Sequence, residues 1–212
     1  MAKPTEVEDL FTKIIRTEFS ADRLHRYWWE AGWEERRPPM AMLALNPSKA
    51  DEERSDPTVL RCVRRAMQLG CGRLIMLNAF SWRDTDPKAL YAAKERVPRK
   101  EGPERDRVIE GNIARQRRHA AKLITTDTDR FIREAALLVA KTGGRFLVGW
   151  GTHVEEVMPG RSETLVDIIE SAGATPEAIV INEGGSPKHP LYCSYKIKPV
   201  PFVLKESEDV GE

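Results

Sequence analysis

Four short polar segments of this chain each follow an apolar run, and together their side chains could bind a planar molecule. Asparagine and histidine exchange hydrogen bonds with the edges of such a molecule, aromatic rings stack on its faces, and glycine allows the backbone to approach closely. A nucleobase is the obvious ligand of this kind. The segments are residues 46–51, 78–83, 149–153 and 183–192.

Each of these residues also has a purely structural explanation. Asn46 precedes a proline, a combination that initiates turns, and Asn78 could cap the end of a strand. Phe80 and Trp150 could belong to the core, and His189 could be an ordinary loop histidine. The case for a binding site therefore rests on the co-location of the segments.

Other familiar chemistries lack their motifs. The chain has no glycine-rich phosphate loop, no HExxH or deaminase zinc motif and no GxSxG nucleophile elbow. Its three scattered cysteines predict neither a disulfide framework nor a paired metal site. Asp51, Asp56, Asp84 and Asp86 could hold a magnesium ion, but the basic residues beside them favour salt-bridged turns at least as well. We therefore predict no metal and no cofactor.

The elements that must position these segments alternate between strands and helices. Apolar runs predict strands at residues 40–45, 74–77, 146–148 and 178–181. Apolar spacing and capping signals predict helices at 7–19, from Asp56-Pro57 to Gly70, at 127–141 and from Ser162 onward. This order implies an α/β three-layer sandwich around a central, mainly parallel sheet of four to five strands. Because ligands bind beyond the carboxyl ends of such strands, the four segments should converge there.

The composition is that of one globular domain, expected over residues 1–207. Of the 212 residues, 41% are hydrophobic, and 34 basic side chains stand against 33 acidic ones, for a net charge of +1. This balance excludes a strongly basic nucleic-acid tail and an acidic disordered chain. No apolar run approaches the roughly 18 residues that a membrane helix requires, and the N-terminus lacks the apolar core of a signal peptide. We therefore expect a cytoplasmic monomer with no membrane partner.

The charge is unevenly distributed along the chain. Residues 94–122 carry a net charge of +5 and the remainder carries −4. This stretch is poor in large apolar residues and is interrupted by prolines and glycines, so we predict a basic, partly helical insertion at residues 94–125. The acidic tail at residues 204–212 should be disordered.

Four motifs, in order, resemble the signature of an uncharacterised bacterial and phage family of unknown function. The first is LNPSxAD with DPT, at residues 45–51 and 56–58. The second is Asn-x-Phe with Arg-x-Thr-x-Pro, at residues 78–80 and 83–87. The others are Trp-Gly at 150–151 and His-Pro-Leu-Tyr at 189–192, so the resemblance covers residues 25–195.

The same positions more distantly resemble the uracil-DNA glycosylase superfamily, whose members are α/β proteins with a pocket at the strand ends. The motifs that carry this resemblance are Asn46-Pro47, Asn78, Trp150-Gly151 and His189-Pro190. It implies that Asn46 positions the attacking water, Asn78 reads the edge of the base, and His189 donates to the base oxygen that gains charge as the glycosidic bond breaks. Phe80 would stack on the base, and Leu191 would wedge the duplex where the base leaves.

Three departures from that superfamily bear on the predicted chemistry. Ser48 stands where the uracil-specific enzymes have the tyrosine that excludes larger bases, which implies a roomier pocket and a modified or bulky base. Asn46 activates water less well than an aspartate would, which implies a slow or specialised enzyme. The four cysteines of the iron–sulfur branch are missing.

The leading prediction is a DNA glycosylase that hydrolyses the N-glycosidic bond of a modified or damaged base flipped out of DNA, with Asn46 and His189 catalytic. The predicted base contacts are Pro47, Ser48, Asn78, Phe80 and Trp150, and the predicted DNA contacts are Lys49, Arg83, Arg115, Arg117, Arg118, Lys188 and Leu191. One alternative is an enzyme acting on a free nucleoside or nucleotide, with Arg83 and Lys188 holding the phosphate. The other is a non-catalytic module that binds nucleic acid or a protein.

Overall fold

The computed structural model of the chain describes residues 13–48 and 57–204. Its strands are β1 (Lys13–Phe19), β2 (Arg26–Gly32), β3 (Pro39–Ala44), β4 (Arg73–Asn78), β5 (Arg145–Val148), β6 (Pro176–Ala178) and β7 (Val200–Pro201). Its helices are α1 (Pro57–Gln68), α2 (Pro103–Ala120), α3 (Thr126–Thr142), α4 (His153–Val157) and α5 (Arg161–Ser171), with 3-10 turns at Pro87–Leu90 and Pro190–Tyr192. Within these ranges the strands form one mixed sheet in the order β1-β2-β4-β3-β5-β6-β7.

The four central strands, β4, β3, β5 and β6, are parallel. Strands β1 and β2 add to one edge of this group in antiparallel orientation, and β7 adds to the other edge in the same way. The predicted α/β class is therefore confirmed, whereas the sheet has seven strands instead of four to five. The additional strands β1, β2 and β7 are antiparallel and extend the two sides of the parallel group. The prediction relied on strands that alternate with helices, and these strands lie outside that alternation.

The predicted N-terminal helix at residues 7–19 is wrong in the part that the structure describes. Lys13–Phe19 form β1, an edge strand that pairs with β2. Ile14 and Ile15 contributed to the helical spacing, but they are 50% and 49% exposed on this strand. Their branched side chains favour a strand, and the free edge of β2 provides the partner. Residues 1–12 lie outside the described ranges.

Helices cover both faces of the central sheet. Alternate side chains of β3 enter two separate cores, in which Ala41 and Leu43 pack with α3 and α5, and Met40 and Met42 pack with α1. All four side chains are fully buried. A strand that is covered on both faces must be apolar throughout, which explains why β3 is a continuous apolar run.

Other boundaries differ from those predicted. The last parallel strand, β6, begins two residues before the predicted strand at 178–181, ends three residues before it, and pairs with β5. Helix α2 occupies the middle of the basic segment at 94–125, and Ala120 at its end and Leu123 just after it are buried in the core. Of the predicted acidic tail, residues 205–212 lie outside the described ranges. No helix in the described part of the chain is long and apolar enough to span a membrane.

Backbone hydrogen bonds join the loops at the carboxyl ends of the central strands. Ala79 N donates to Ala44 O at 2.8 Å and thereby extends the pairing of β4 with β3 past the end of the strands. Gly149 N donates to Leu43 O at 2.9 Å and does the same for β5. The segments that follow these three strands are therefore held side by side at one edge of the sheet.

Candidate functional site

A cleft of about 650 Å³ opens at the carboxyl ends of β3 and β5, and a volume of this size suits a small organic ligand. It is lined by six of the predicted catalytic, base-contacting and DNA-contacting residues, namely Asn46, Ser48, Trp150, Lys188, His189 and Leu191. They come from the loop after β3, the loop after β5 and the segment that follows β6. Three of the four polar segments therefore contribute side chains to the same cleft.

The Asn46 side chain is oriented by the neighbouring loop. Its Nδ2 donates to the backbone oxygen of Asp84 at 2.8 Å, and Asp84 N donates in return to the oxygen of Pro47 at 2.9 Å. This pair of bonds joins the loop after β3 to the loop after β4. Because Nδ2 is engaged, the carbonyl oxygen Oδ1 is the atom of the amide that can accept a hydrogen bond from water or a ligand. Pro47 itself is buried and does not line the cleft.

The loop that carries Lys188, His189 and Leu191 is held from both of its ends. Lys188 N donates to Val180 O at 2.8 Å. After the 3-10 turn at Pro190–Tyr192, the guanidinium groups of α1 bind the backbone oxygens of residues 193–197. The bonds are those of Arg61 to Cys193 at 2.6 Å, and of Arg65 to Ser194 at 2.6 Å and to Ile197 at 2.7 Å. These bonds hold the His189 loop against α1.

Trp150 forms a rigid wall of the cleft. It is only 1% exposed, and its ring meets Phe202 in an edge-to-face contact with the centroids 5.7 Å apart. Gly151 N donates to Pro187 O at 2.9 Å, which ties this loop to the His189 loop. Because so little of its surface is exposed, Trp150 has no open face on which a base could stack.

A further histidine lines the cleft and belongs to a hydrogen-bonded group. His153 Nδ1 lies 2.9 Å from the hydroxyl of Tyr91, and that hydroxyl donates to Glu156 Oε2 at 2.6 Å. Burial raises the pKa of Tyr91, and the hydrogen bond to the Glu156 carboxylate raises it further. Tyr91 is therefore a stable donor to Glu156 at neutral pH.

The sequence matches the model of a family described as proteins of unknown function, DUF1643, over residues 26–191. The chain belongs to the DUF1643 family. The DUF1643 span contains almost the whole cleft lining, from Leu45 to Leu191. A comparison with curated proteins gives no match.

One solved structure similar to the DUF1643 protein is that of an uncharacterised protein from Capnocytophaga ochracea DSM 7271. The two sequences are 10% identical, the TM-score is 0.21, and the alignment covers 76% of this chain. The DUF1643 protein spans about half of the length of that chain, 54%. Similarity at this level carries no argument about the DUF1643 fold or function.

Three predicted base contacts of the DUF1643 protein do not line the cleft, namely Pro47, Asn78 and Phe80. Asn78 is 5% exposed, and its Oδ1 lies 3.5 Å from the Arg26 Nη2 that donates to it. Phe80 is fully buried in the core. Asn78 ends β4 and Phe80 follows it, and the bonds of Ala79 N to Ala44 O and of Phe80 N to Leu45 O keep this stretch inside the sheet. In this arrangement Asn78 cannot read a base in the cleft, and Phe80 cannot stack on one.

Some predicted DNA-contacting residues of the DUF1643 protein already bind other groups of the chain, and others are exposed or line the cleft. Arg83 donates to Arg23 O at 3.1 Å and stacks on the Phe19 ring at 5.0 Å. Arg115 forms an ion pair with Glu95 at 2.8 Å. Arg117 and Arg118 are exposed in the last turn of α2, Lys188 and Leu191 line the cleft, and Lys49 lies outside the described residues. Two of the predicted arginines are thus already bound within the protein.

The structure adds cleft residues that were not among the predicted contacts. Asp84 was considered only as a possible magnesium ligand and Thr85 only as part of a family motif, but both line the cleft directly after the predicted segment at 78–83. Thr85 Oγ1 lies 3.4 Å from Ser48 Oγ. Asn182 also lines the cleft and donates through Nδ2 to Ser186 Oγ at 3.0 Å. His153 lay at the end of a named segment, but no local spacing connected it to its partners. Among the residues described, no three His, Cys, Asp or Glu side chains gather as a metal site, and Asp51 and Asp56 lie outside those ranges.

Proposed function

We propose that this DUF1643 protein hydrolyses the N-glycosidic bond of a modified or damaged base flipped out of DNA. The observation that carries the proposal is that Asn46 and His189 line one cleft while the Asn46 amide is held by Asp84 O. That bond leaves Oδ1 of Asn46 to accept from the attacking water. His189 supplies a ring N–H for the base oxygen that becomes negative as the bond breaks.

Recognition of the base falls to groups that line the cleft. Asn182 offers an amide whose Nδ2 is already engaged by Ser186, so its oxygen can accept from the base. Ser48 and Thr85 are small, which leaves room for a bulky or modified base. As part of this proposal, we assign the fold as uracil-DNA-glycosylase-like. Support for it comes from the four parallel central strands and from a cleft at their carboxyl ends.

Contact with DNA falls to basic and apolar groups in the cleft and to basic groups on α2. Lys188 and Leu191 line the cleft, where a phosphate and the gap left by the flipped base would lie. Arg117 and Arg118 lie at the end of α2, which Gln116 joins to the backbone oxygens of Leu90 and Val157 at 3.2 Å each. Leu90 ends the 3-10 turn that begins at Pro87, a residue of the cleft rim. Basic side chains on α2 therefore belong to a helix anchored to the rim.

A free nucleoside or nucleotide is the second candidate substrate. The engagement of Arg83 and Arg115 within the protein favours it, because fewer basic groups then remain for a long DNA backbone. Lys188 in the cleft would hold a single phosphate. The two candidates separate by salt, since binding through several phosphates weakens steeply with ionic strength and binding of a small ligand does not.

The test is a cleavage assay on DNA that carries uracil, hydroxymethylated, glycosylated or other hypermodified bases. Alkali converts each abasic site into a strand break. Breaks in one substrate, lost in Asn46→Ala and His189→Ala but kept in Asn112→Ala, are the expected result; Asn112 lies on α2 outside the cleft. Intact DNA with every substrate refutes the proposal. Release of base from free nucleosides would then favour the second candidate, and salt-sensitive binding without cleavage would favour a non-catalytic module.

A further inference from the structure

The rim of the cleft carries an acid–base group that the proposed function leaves unused. His153 and Glu156 lie three residues apart on α4, and both contact the hydroxyl of Tyr91. Tyr91 follows the 3-10 turn at Pro87–Leu90, so the group joins two separate parts of the rim. His153 lines the cleft itself, and its side chain is 46% exposed.

The two distances to the Tyr91 oxygen determine where its proton lies. The 2.6 Å contact with Glu156 is in the range of a hydroxyl donating to a carboxylate, about 2.5–2.7 Å. A phenol has one proton, so the Tyr91 oxygen must act as acceptor in its 2.9 Å contact with His153 Nδ1. Nδ1 therefore carries hydrogen, and in the neutral ring the lone pair is on Nε2.

Burial and the Glu156 bond both hold Tyr91 in its protonated form, because they raise its pKa. The tyrosine thus keeps donating to Glu156 and keeps its oxygen available to Nδ1–H. An acceptor fixed on Nδ1–H keeps an imidazole in one tautomer and one orientation, as the acceptor on the histidine of a catalytic triad does.

The proposed reaction requires a proton acceptor that Asn46 cannot be. An amide oxygen can orient a water molecule, but it does not take up a proton at neutral pH. His189 acts in the proposal as a donor to the base. Among the described residues that line the cleft, the remaining histidine is His153.

We propose that His153 is the general base of this cleft, with Tyr91 and Glu156 as positioning residues. The inference rests on the proposed function for the identity of the substrate. As the water oxygen bonds to C1′, the bond from C1′ to the base nitrogen breaks, and its electron pair goes to the base. The water proton passes to Nε2 of His153, which afterwards returns it to the departing base.

The tautomer of His153 is measurable without any substrate. The full chain, labelled with ¹⁵N in its four histidines, is studied by long-range ¹H–¹⁵N correlation NMR, and His153→Gln assigns the signal. We expect the Nδ1–H form in the wild type and loss of its dominance in Tyr91→Phe, which removes the acceptor oxygen. A wild-type ring in the Nε2–H form, or a tautomer that Tyr91→Phe leaves unchanged, overturns the inference.

Turnover then tests the role of the ring. On the DNA that the wild type cleaves, His153→Gln should lower kcat by about 100-fold or more at nearly unchanged KM. Tyr91→Phe should cause a smaller loss at the same KM. His119→Gln, a histidine on α2 that contacts Ala89 O, serves as the matched control and should keep its kcat. An unchanged kcat in His153→Gln overturns the inference. A wild type that cleaves no glycosidic bond refutes the proposed function, and the inference about His153 is then decided by the tautomer measurement alone.

Discussion

Gly149 is the position at which one methyl group would disturb the loop that carries His189. It directly follows β5, and a Cβ atom there would lie 2.9 Å from Cδ of Pro190 and 3.4 Å from the backbone oxygen of Lys188. Non-bonded carbon atoms pack at about 3.5–4.0 Å. In Gly149→Ala, Pro190 and its neighbours must therefore move by roughly half to one ångström.

Two contributions of opposite sign determine the free energy of this change. Forcing a methyl-sized group into a filled site costs about 1–3 kcal/mol. Alanine restricts the unfolded chain more than glycine does, which stabilises the folded state by about 0.4–1 kcal/mol. We therefore expect Gly149→Ala to lower the free energy of unfolding by about 1–2 kcal/mol. Because the moving loop carries His189, cleavage by this variant should fall as well.

Urea unfolding followed by circular dichroism measures the effect, with Gly111→Ala as the matched control. Gly111 lies inside α2, where an added Cβ would meet nothing within 4 Å. The same substitution there should raise the free energy of unfolding by up to about 1 kcal/mol, because alanine is the better helix former. The two variants should thus shift the midpoint in opposite directions at an unchanged m-value.

A Gly149→Ala protein as stable as the wild type would refute the reasoning, because the close approach of Pro190 would then not exist. Equal destabilisation of Gly111→Ala would refute it differently. The loss would then come from replacing glycine as such, and not from the crowded space beside the His189 loop.

Buried groups elsewhere give three more predictions. Arg65→Met removes the donors to Ser194 O and Ile197 O, so it should lower the free energy of unfolding, measured in urea, by about 2–4 kcal/mol. Arg64 is exposed, and Arg64→Met should change that free energy by less than about 0.5 kcal/mol. Burial lowers the pKa of His25, so the unfolded chain binds the proton first, and stability should fall as pH drops below the ordinary pKa of 6.5. His25→Gln should flatten that part of the pH profile. All three cysteines are buried, so a thiol reagent should react slowly with the native chain and should label three thiols once urea has unfolded it.

For each of these three predictions, one result would contradict it. Equal stability of Arg65→Met and Arg64→Met would mean that the backbone oxygens of residues 193–197 find other donors. An acid profile unchanged by His25→Gln would assign the loss of stability to other groups. Rapid labelling of the native chain would contradict the burial of the thiols. Burial also raises the pKa of Cys71 and of Cys193, and so limits the fraction of reactive thiolate.

The central strands and their helices were predictable because their signals are local. The apolar runs at 40–45, 74–77 and 146–148 coincide closely with β3, β4 and β5, since a strand covered on both faces must be apolar throughout. The helix predicted at 127–141 coincides with α3, which ends at Gly143 in the left-handed conformation that glycine adopts readily, with φ 66°. The gathering of polar segments at the strand ends follows from the same parallel order.

Which side chains meet in the cleft was decided only by tertiary structure. Asn78 ends β4 and Phe80 follows it, close to where the pattern placed them, yet the pairing of β4 with β3 directs them to Arg26 and to the core. His153 stood in a predicted segment, but its partner Tyr91 lies 62 residues earlier in the chain. The edge strand β1 likewise exists because β2 offers it a partner. Sequence periodicity reports whether a position is buried, whereas strand register and contacts between distant segments decide which neighbour it meets.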